Sequence, residues 1–140
     1  MHAGEIKYQM LKDFTEKFPG ITAALLLTSD GLTDTAVGLA NDAADTLAAM
    51  SSSLVSLANH LYADKPGAVK QTFIEHDFGR ALLMRADTDT SVPGMAGLLL
   101  VVLTTPEANA GAVAYEMSRW IKGINAELAT PVRAASHPGQ

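Results

Sequence analysis

Three observations predict an α/β (α+β) fold with helices on both faces of an antiparallel sheet. Ile6, Met10, Phe14 and Phe18 recur at helical spacing ahead of Pro19-Gly20. Ser29-Asp30-Gly31 and His76-Asp77-Phe78-Gly79 each separate two strand-like runs, as hairpin turns do. Residues 95–103 are nearly all apolar without alternation, the pattern of a strand covered on both sides.

The first helix carries one apolar stripe, while Glu5, Lys7, Lys12, Asp13, Glu16 and Lys17 supply its polar remainder. Pro19-Gly20 stops it, because proline cannot continue the hydrogen-bond ladder. Residues 21–28 read as a central strand, and residues 32–37, with Thr33, Asp34 and Thr35, as a more polar edge strand. Asn41 or Asp42 can cap a long helix running to about Tyr62. Ala43, Leu47, Met50, Leu54, Leu57, Ala58 and Leu61 fall on one arc of this helix, beside a flank of Ala44, Ala48, Ser51, Val55 and Tyr62. Residues 69–75 and 80–86 are strands, residues 87–94 a polar loop, and residues 95–103 the last strand. Thr105-Pro106-Glu107 predicts a helix start with Thr105 as cap, and Val113, Met117, Trp120, Ile121 and Ile124 face inward. The order is α-β-β-α-β-β-β-α within a single domain, residues 1–128, followed by a disordered tail, residues 129–140.

Hydrophobic residues make up 48% of the 140 and charged residues 18%, an ordinary globular balance. A net charge of −5 with scattered basic residues argues against nucleic acid and anionic lipid. With no cysteine, disulfides, thiol catalysis and Cys-based zinc sites are excluded. The N-terminus has no signal-peptide pattern and the longest apolar run is too short for a bilayer, so a cytoplasmic location is expected.

Catalytic chemistry is hard to find. His2, His60, His76 and His137 stand apart, with no metal-ligand spacing. No phosphate-binding glycine loop or nucleophile elbow occurs. Asp77-Phe78-Gly79 is better read as a turn in which the glycine bends the chain and the phenylalanine packs. Ser51-Ser52-Ser53 reads as a small helix face, and Trp120 with Tyr115 as core anchoring. No catalytic, metal-binding or cofactor-binding residue is assigned.

Pro19-Gly20 leading into Ala23-Ala24-Leu25-Leu26-Leu27 and Ser29-Asp30-Gly31-Leu32 resembles the opening of a Roadblock/dynein-light-chain domain. The Ala- and Ser-rich helix after the hairpin resembles that family too. So does Asn109-Ala110-Gly111-Ala112-Val113-Ala114-Tyr115-Glu116-Met117, which is similar to the final helix of actinobacterial members. The resemblance implies a profilin-like five-stranded antiparallel sheet in the order 2-1-5-4-3. It also implies a homodimer built from the second helix and third strand. Members of the family, including bacterial MglB-like ones, bind small Ras-like GTPases or serve as scaffolds. Bacterial, conservon-type members accompany operon-encoded signalling proteins.

These implications set the expectations. The protein regulates or recruits a Ras-like GTPase without catalysis of its own. The dimer interface is expected at Ala44, Ala48, Ser51, Val55, Tyr62, Val69, Gln71, Phe73 and Glu75. The partner surface is expected at Thr46, Ser53 and His60, or on the 87–93 loop. Two alternatives stand beside this reading: a profilin-like small-ligand sensor and a purely structural dimerisation module.

Overall fold

The apolar stripe of the first segment becomes α1 (Ala3–Lys17), capped at its C-terminus by Phe18 immediately before Pro19. It is followed by β1 (Ile21–Thr28), β2 (Thr33–Val37), α2 (Asn41–Ala58), β3 (Gln71–His76), β4 (Gly79–Arg85), β5 (Leu98–Thr104) and α3 (Ala110–Leu128). The computed structural model describes residues 2–89 and 91–129; the expectation for residues 130–140 of the tail lies outside them.

The five strands form one antiparallel sheet ordered β2-β1-β5-β4-β3. β1 and β5 are central, as their largely apolar sequences, interrupted only by threonines, lead one to expect, and the polar β2 lies at one edge. Alternation then divides the core. Ala24, Leu26, Leu82, Met84, Leu100 and Val102 point toward α1 and α3, where they meet Leu11, Phe14, Met117, Trp120 and Ile124. Leu25, Leu27, Leu83, Leu99 and Val101 point the other way, under α2. Trp120 locks α3 to α1: its indole N–H donates to the Met10 carbonyl at 3.0 Å, and its ring lies 6.3 Å from Phe14.

The helix caps differ from expectation. Ala40 precedes α2 and makes no side-chain cap, while Asp42 sits in the first turn, where a negative charge favours the helix dipole. α3 starts at Asn109, whose side chain accepts from the Ala112 N–H at 2.9 Å, and Thr105 opens a separate turn closed by the Ala108 N–H. Asparagine outcompetes the Thr-Pro-Glu signal because its side chain stands where the first free N–H groups emerge.

Strand bounds shift as well. β2 begins at Thr33, leaving Leu32 in the turn, and β3 begins at Gln71 instead of residue 69. Residues 95–97 turn instead of extending, with Gly97 at φ 74° and Met95 plugged into the core. α2 ends at Ala58 rather than near Tyr62, as tighter turns take over from Leu57 and Ala58. Lys7, expected among the solvent-facing charges of α1, is buried.

Candidate interaction surface

Among the described residues the side chains capable of chemistry do not converge. Among the described residues no group of three His, Asp or Glu is placed to hold a metal ion. His2, His60 and His76 are exposed on separate elements, and His137 lies outside the described residues. The serine run is divided by the helix: Ser51 is buried, Ser52 donates to the Ser29 carbonyl at 2.7 Å, and Ser53 donates to the Ala49 carbonyl of its own helix. Tyr115 is exposed and makes no core with Trp120.

The sheet-facing side of α2 overturns one expectation. Ala44, Ala48 and Ser51, assigned from sequence to a seam between copies, are 2%, 0% and 1% exposed and pack on the sheet of their own chain. Small side chains there let the helix lie close over Leu25 and Leu27, so these three have no surface left for a second molecule. The apolar arc lies on the exposed side instead. Met50, Leu57 and Leu61 are 55%, 72% and 75% exposed, with Leu47 and Leu54 half-buried. Asp45 and Ser52, on the far flank, contact Thr33 and Ser29 of the β1–β2 hairpin. Helical geometry therefore turns the arc away from that hairpin, toward β4 and β3.

β3 is the second edge of the sheet, so its outer row of N–H and C=O groups lacks a strand partner. Its register opposite β4 places Thr72 and Ile74 on the α2 face, beside Leu83 and Ala81. Gln71 and Phe73 lie opposite Met84 and Leu82, on the α1–α3 face. Glu75, in step with them, reaches the Arg80 guanidinium at 3.4 Å. Between the end of α2 and the start of β3 lies a groove of about 730 Å³, lined by Ala58, Leu61, Tyr62, Ala68, Val69 and Thr72 among others. Val55 and Val69 are half-buried, and Tyr62 is exposed. Leu61 belongs to both the α2 arc and this groove, and the groove reaches Thr72 of β3, so exposed apolar surface extends from the arc to the β3 edge.

A smaller cleft of about 300 Å³ separates α2 from the start of β5 and includes Ser52, Ser56, Asn59 and Arg85. Three of its polar side chains are engaged within the chain. Arg85 pairs with Asp87 at 3.0 Å, Ser52 with the Ser29 carbonyl, and Asn59 accepts from the Val69 N–H. That engagement weighs against a ligand-sensor reading, which needs convergent groups left for a ligand.

The 87–94 loop is tethered. Asp87 also accepts from the Gly97 N–H at 2.9 Å, and the Asn125 amide donates to the Ala86 carbonyl at 2.7 Å. The backbone and hydroxyl of Ser91 donate to Asp89 and hold its carboxyl below the usual range. At its far end the Gly94 carbonyl accepts from Lys7. Thr46, Ser53 and His60 are exposed on the outward side of α2 and the turn after it, bordering the apolar arc.

A Roadblock/LC7 domain profile matches residues 7–104, from within α1 to the end of β5. The chain belongs to the Roadblock/LC7 domain family. This membership places it among regulatory, protein-interaction domains. A Roadblock/LC7 domain from Streptomyces avermitilis superposes with a TM-score of 0.74 at 30% identity, over 86% of this chain and 96% of that one. MglB in a tetrameric arrangement superposes with a TM-score of 0.74 at 18% identity, over 94% and 93%. Gliding protein MglB from Thermus thermophilus gives 0.68 at 17% identity, over 89% and 91%. The two MglB likenesses, at such identities, are likenesses of fold. No curated protein matches by sequence. The Roadblock sheet order agrees with the one the resemblance implied. No helix among the described residues is long and apolar enough to cross a membrane.

Sequence reasoning missed Met50, Leu57, Leu61 and Phe78 as surface residues. The signal for the first three is present in the sequence as a helical arc, but periodicity alone does not say which side of a helix faces the sheet.

Proposed function

We propose that this Roadblock/LC7 protein is a non-catalytic regulator or scaffold of the cytoplasm, a single domain over residues 1–128. In this reading it homodimerises and presents the joined surface to a small Ras-like GTPase and associated operon-encoded signalling proteins. The observation that carries the reading is the exposed α2 arc of Met50, Leu57 and Leu61 beside the unpaired β3 edge. An exposed apolar stripe next to an open sheet edge is unstable in isolation and is relieved by a partner. A second copy satisfies both at once, since a two-fold axis sets β3 against β3 and the arc of one α2 against the other. The fold is compatible with self-assembly: MglB, its structural neighbour, occurs in a tetrameric arrangement.

The GTPase rests on the family resemblance together with membership. With no catalytic group brought together among the described residues, any effect on a GTPase would arise from binding one nucleotide state better than the other. A tenfold preference corresponds to about 1.4 kcal/mol, which a few contacts supply. The outward side of α2, with Thr46, Ser53 and His60, stays free when the arc and β3 are covered, and the 87–93 loop, anchored through Asp87 to the Gly97 N–H, offers a second contact. The direct test titrates the protein against the Ras-like GTPase encoded beside it, loaded with GDP or a GTP analogue. Unequal affinity is expected. Equal affinity would leave a scaffold, and binding to neither would remove the GTPase.

A further inference from the structure

We infer that Phe78, at the tip of the β3–β4 hairpin, is the anchor of self-association and inserts into the groove between α2 and β3 of a second copy. The inference rests on the homodimer reading above and specifies its contact. Phe78 is 86% exposed at a two-residue turn, a costly place for a large apolar ring unless something covers it. Within its own chain its ring lies 5.7 Å from that of His76, and its N–H donates to His76 Nδ1 at 3.1 Å. His76 is in step with Thr72 and Ile74, on the α2 face of the strand. The ring is thus held on the side of the sheet where the groove opens.

Symmetry then fixes where Phe78 goes. A two-fold axis perpendicular to the sheet maps each face onto itself, so paired residues in β3 and its mate must differ by an even number of positions. The axis therefore passes through a residue, and Phe73 and Ile74 are the two at the middle of the strand. Pairing about Phe73 sets Phe78 opposite Ala68 of the second copy; pairing about Ile74 sets it opposite Lys70. Both residues line the groove. The groove, of about 730 Å³, has room for a benzyl side chain and is walled by Ala58, Leu61 and Tyr62. Each copy offers one ring and one groove, so the contact is made twice and closes the pair.

The chain has no cysteine, so introduced thiols report without background. Phe78→Cys chains, mixed with separately prepared Ala68→Cys or Lys70→Cys chains and oxidised, should cross-link to one of the two, according to the register, while Phe78→Cys alone should not. Phe78→Ala should weaken dimerisation at least tenfold by sedimentation, with unchanged circular dichroism because the ring supports little of its own fold. Phe78→Leu should retain most of the affinity. A wild-type protein that sediments as a monomer at micromolar concentration would overturn both this contact and the dimer reading. A dimer that does not cross-link, and that Phe78→Ala leaves unweakened, would overturn the anchor while sparing the dimer.

Discussion

Lys7 shows how one side chain can tie three parts of the molecule together. It is 5% exposed, on α1, and its ammonium reaches Asp34 of β2 at 2.9 Å and the Gly94 carbonyl at 2.8 Å. Asp34 keeps partial solvent contact and also accepts from Thr35, so removing the lysine does not strand a fully buried charge. Lys7→Met keeps the stem and deletes the charge, and should lower stability by about 1–3 kcal/mol. Urea unfolding measures this; an unchanged midpoint would mean that the pair contributes nothing net. Gly79 is constrained differently. A Cβ there would collide with the Thr104 carbonyl of β5, and backbone cannot move aside as a side-chain tip can. Gly79→Ala should therefore cost more than the ~1 kcal/mol typical of a point mutation, read as a drop in Tm.

At the scale of elements, α2 has two apolar sides with different roles, and substitution separates them. Ala48→Glu places a carboxylate under the helix against Leu25 and Val101, where no partner charge waits. It should unfold the protomer or cost several kcal/mol, seen as loss of the cooperative thermal transition. Leu57→Glu changes a residue that is already 72% exposed. Its protomer should fold normally, and self-association should weaken, since a buried leucine contributes about 1.5–3 kcal/mol. If Ala48→Glu gave a folded monomer, the burial of that side would be refuted. If Leu57→Glu left the sedimentation coefficient unchanged, the α2 arc would not be the seam.

For the whole molecule the relevant quantity is the continuity of one surface across α2, β3 and the hairpin tip. Two sheets joined at β3 would give a broad platform with paired helices on one face and Phe73, 48% exposed, beside the axis on the other. Such a platform presents each copy's Thr46, Ser53 and His60 twice. A partner that engages both copies should bind the assembled pair much more tightly than a dissociated one. Titrating the GTPase against the wild type and against Leu57→Glu at the same chain concentration tests this. Equal affinity for the two would mean that a single chain carries the whole contact.

Much of the fold was legible from residues alone because burial on both faces and hairpin turns leave local signatures. The largely apolar runs of β1 and β5 imply central strands, and Asp30-Gly31 and Asp77-Phe78-Gly79 imply tight reversals, whatever the rest of the chain does. The Roadblock resemblance carried the strand order, which local pattern cannot supply. What the sequence left open was which side of an amphipathic helix faces inward. Both sides of α2 read as apolar or small, and from sequence the small one is placed at a seam between copies. The tertiary structure decided the reverse, because a helix lying over strands rich in leucine and valine fully buries small residues, Ala44, Ala48 and Ser51, while Leu47 and Val55 pack at its margin. The same cause hid the surface: Met50, Leu57, Leu61 and Phe78 look like core residues until the sheet is seen to be full without them.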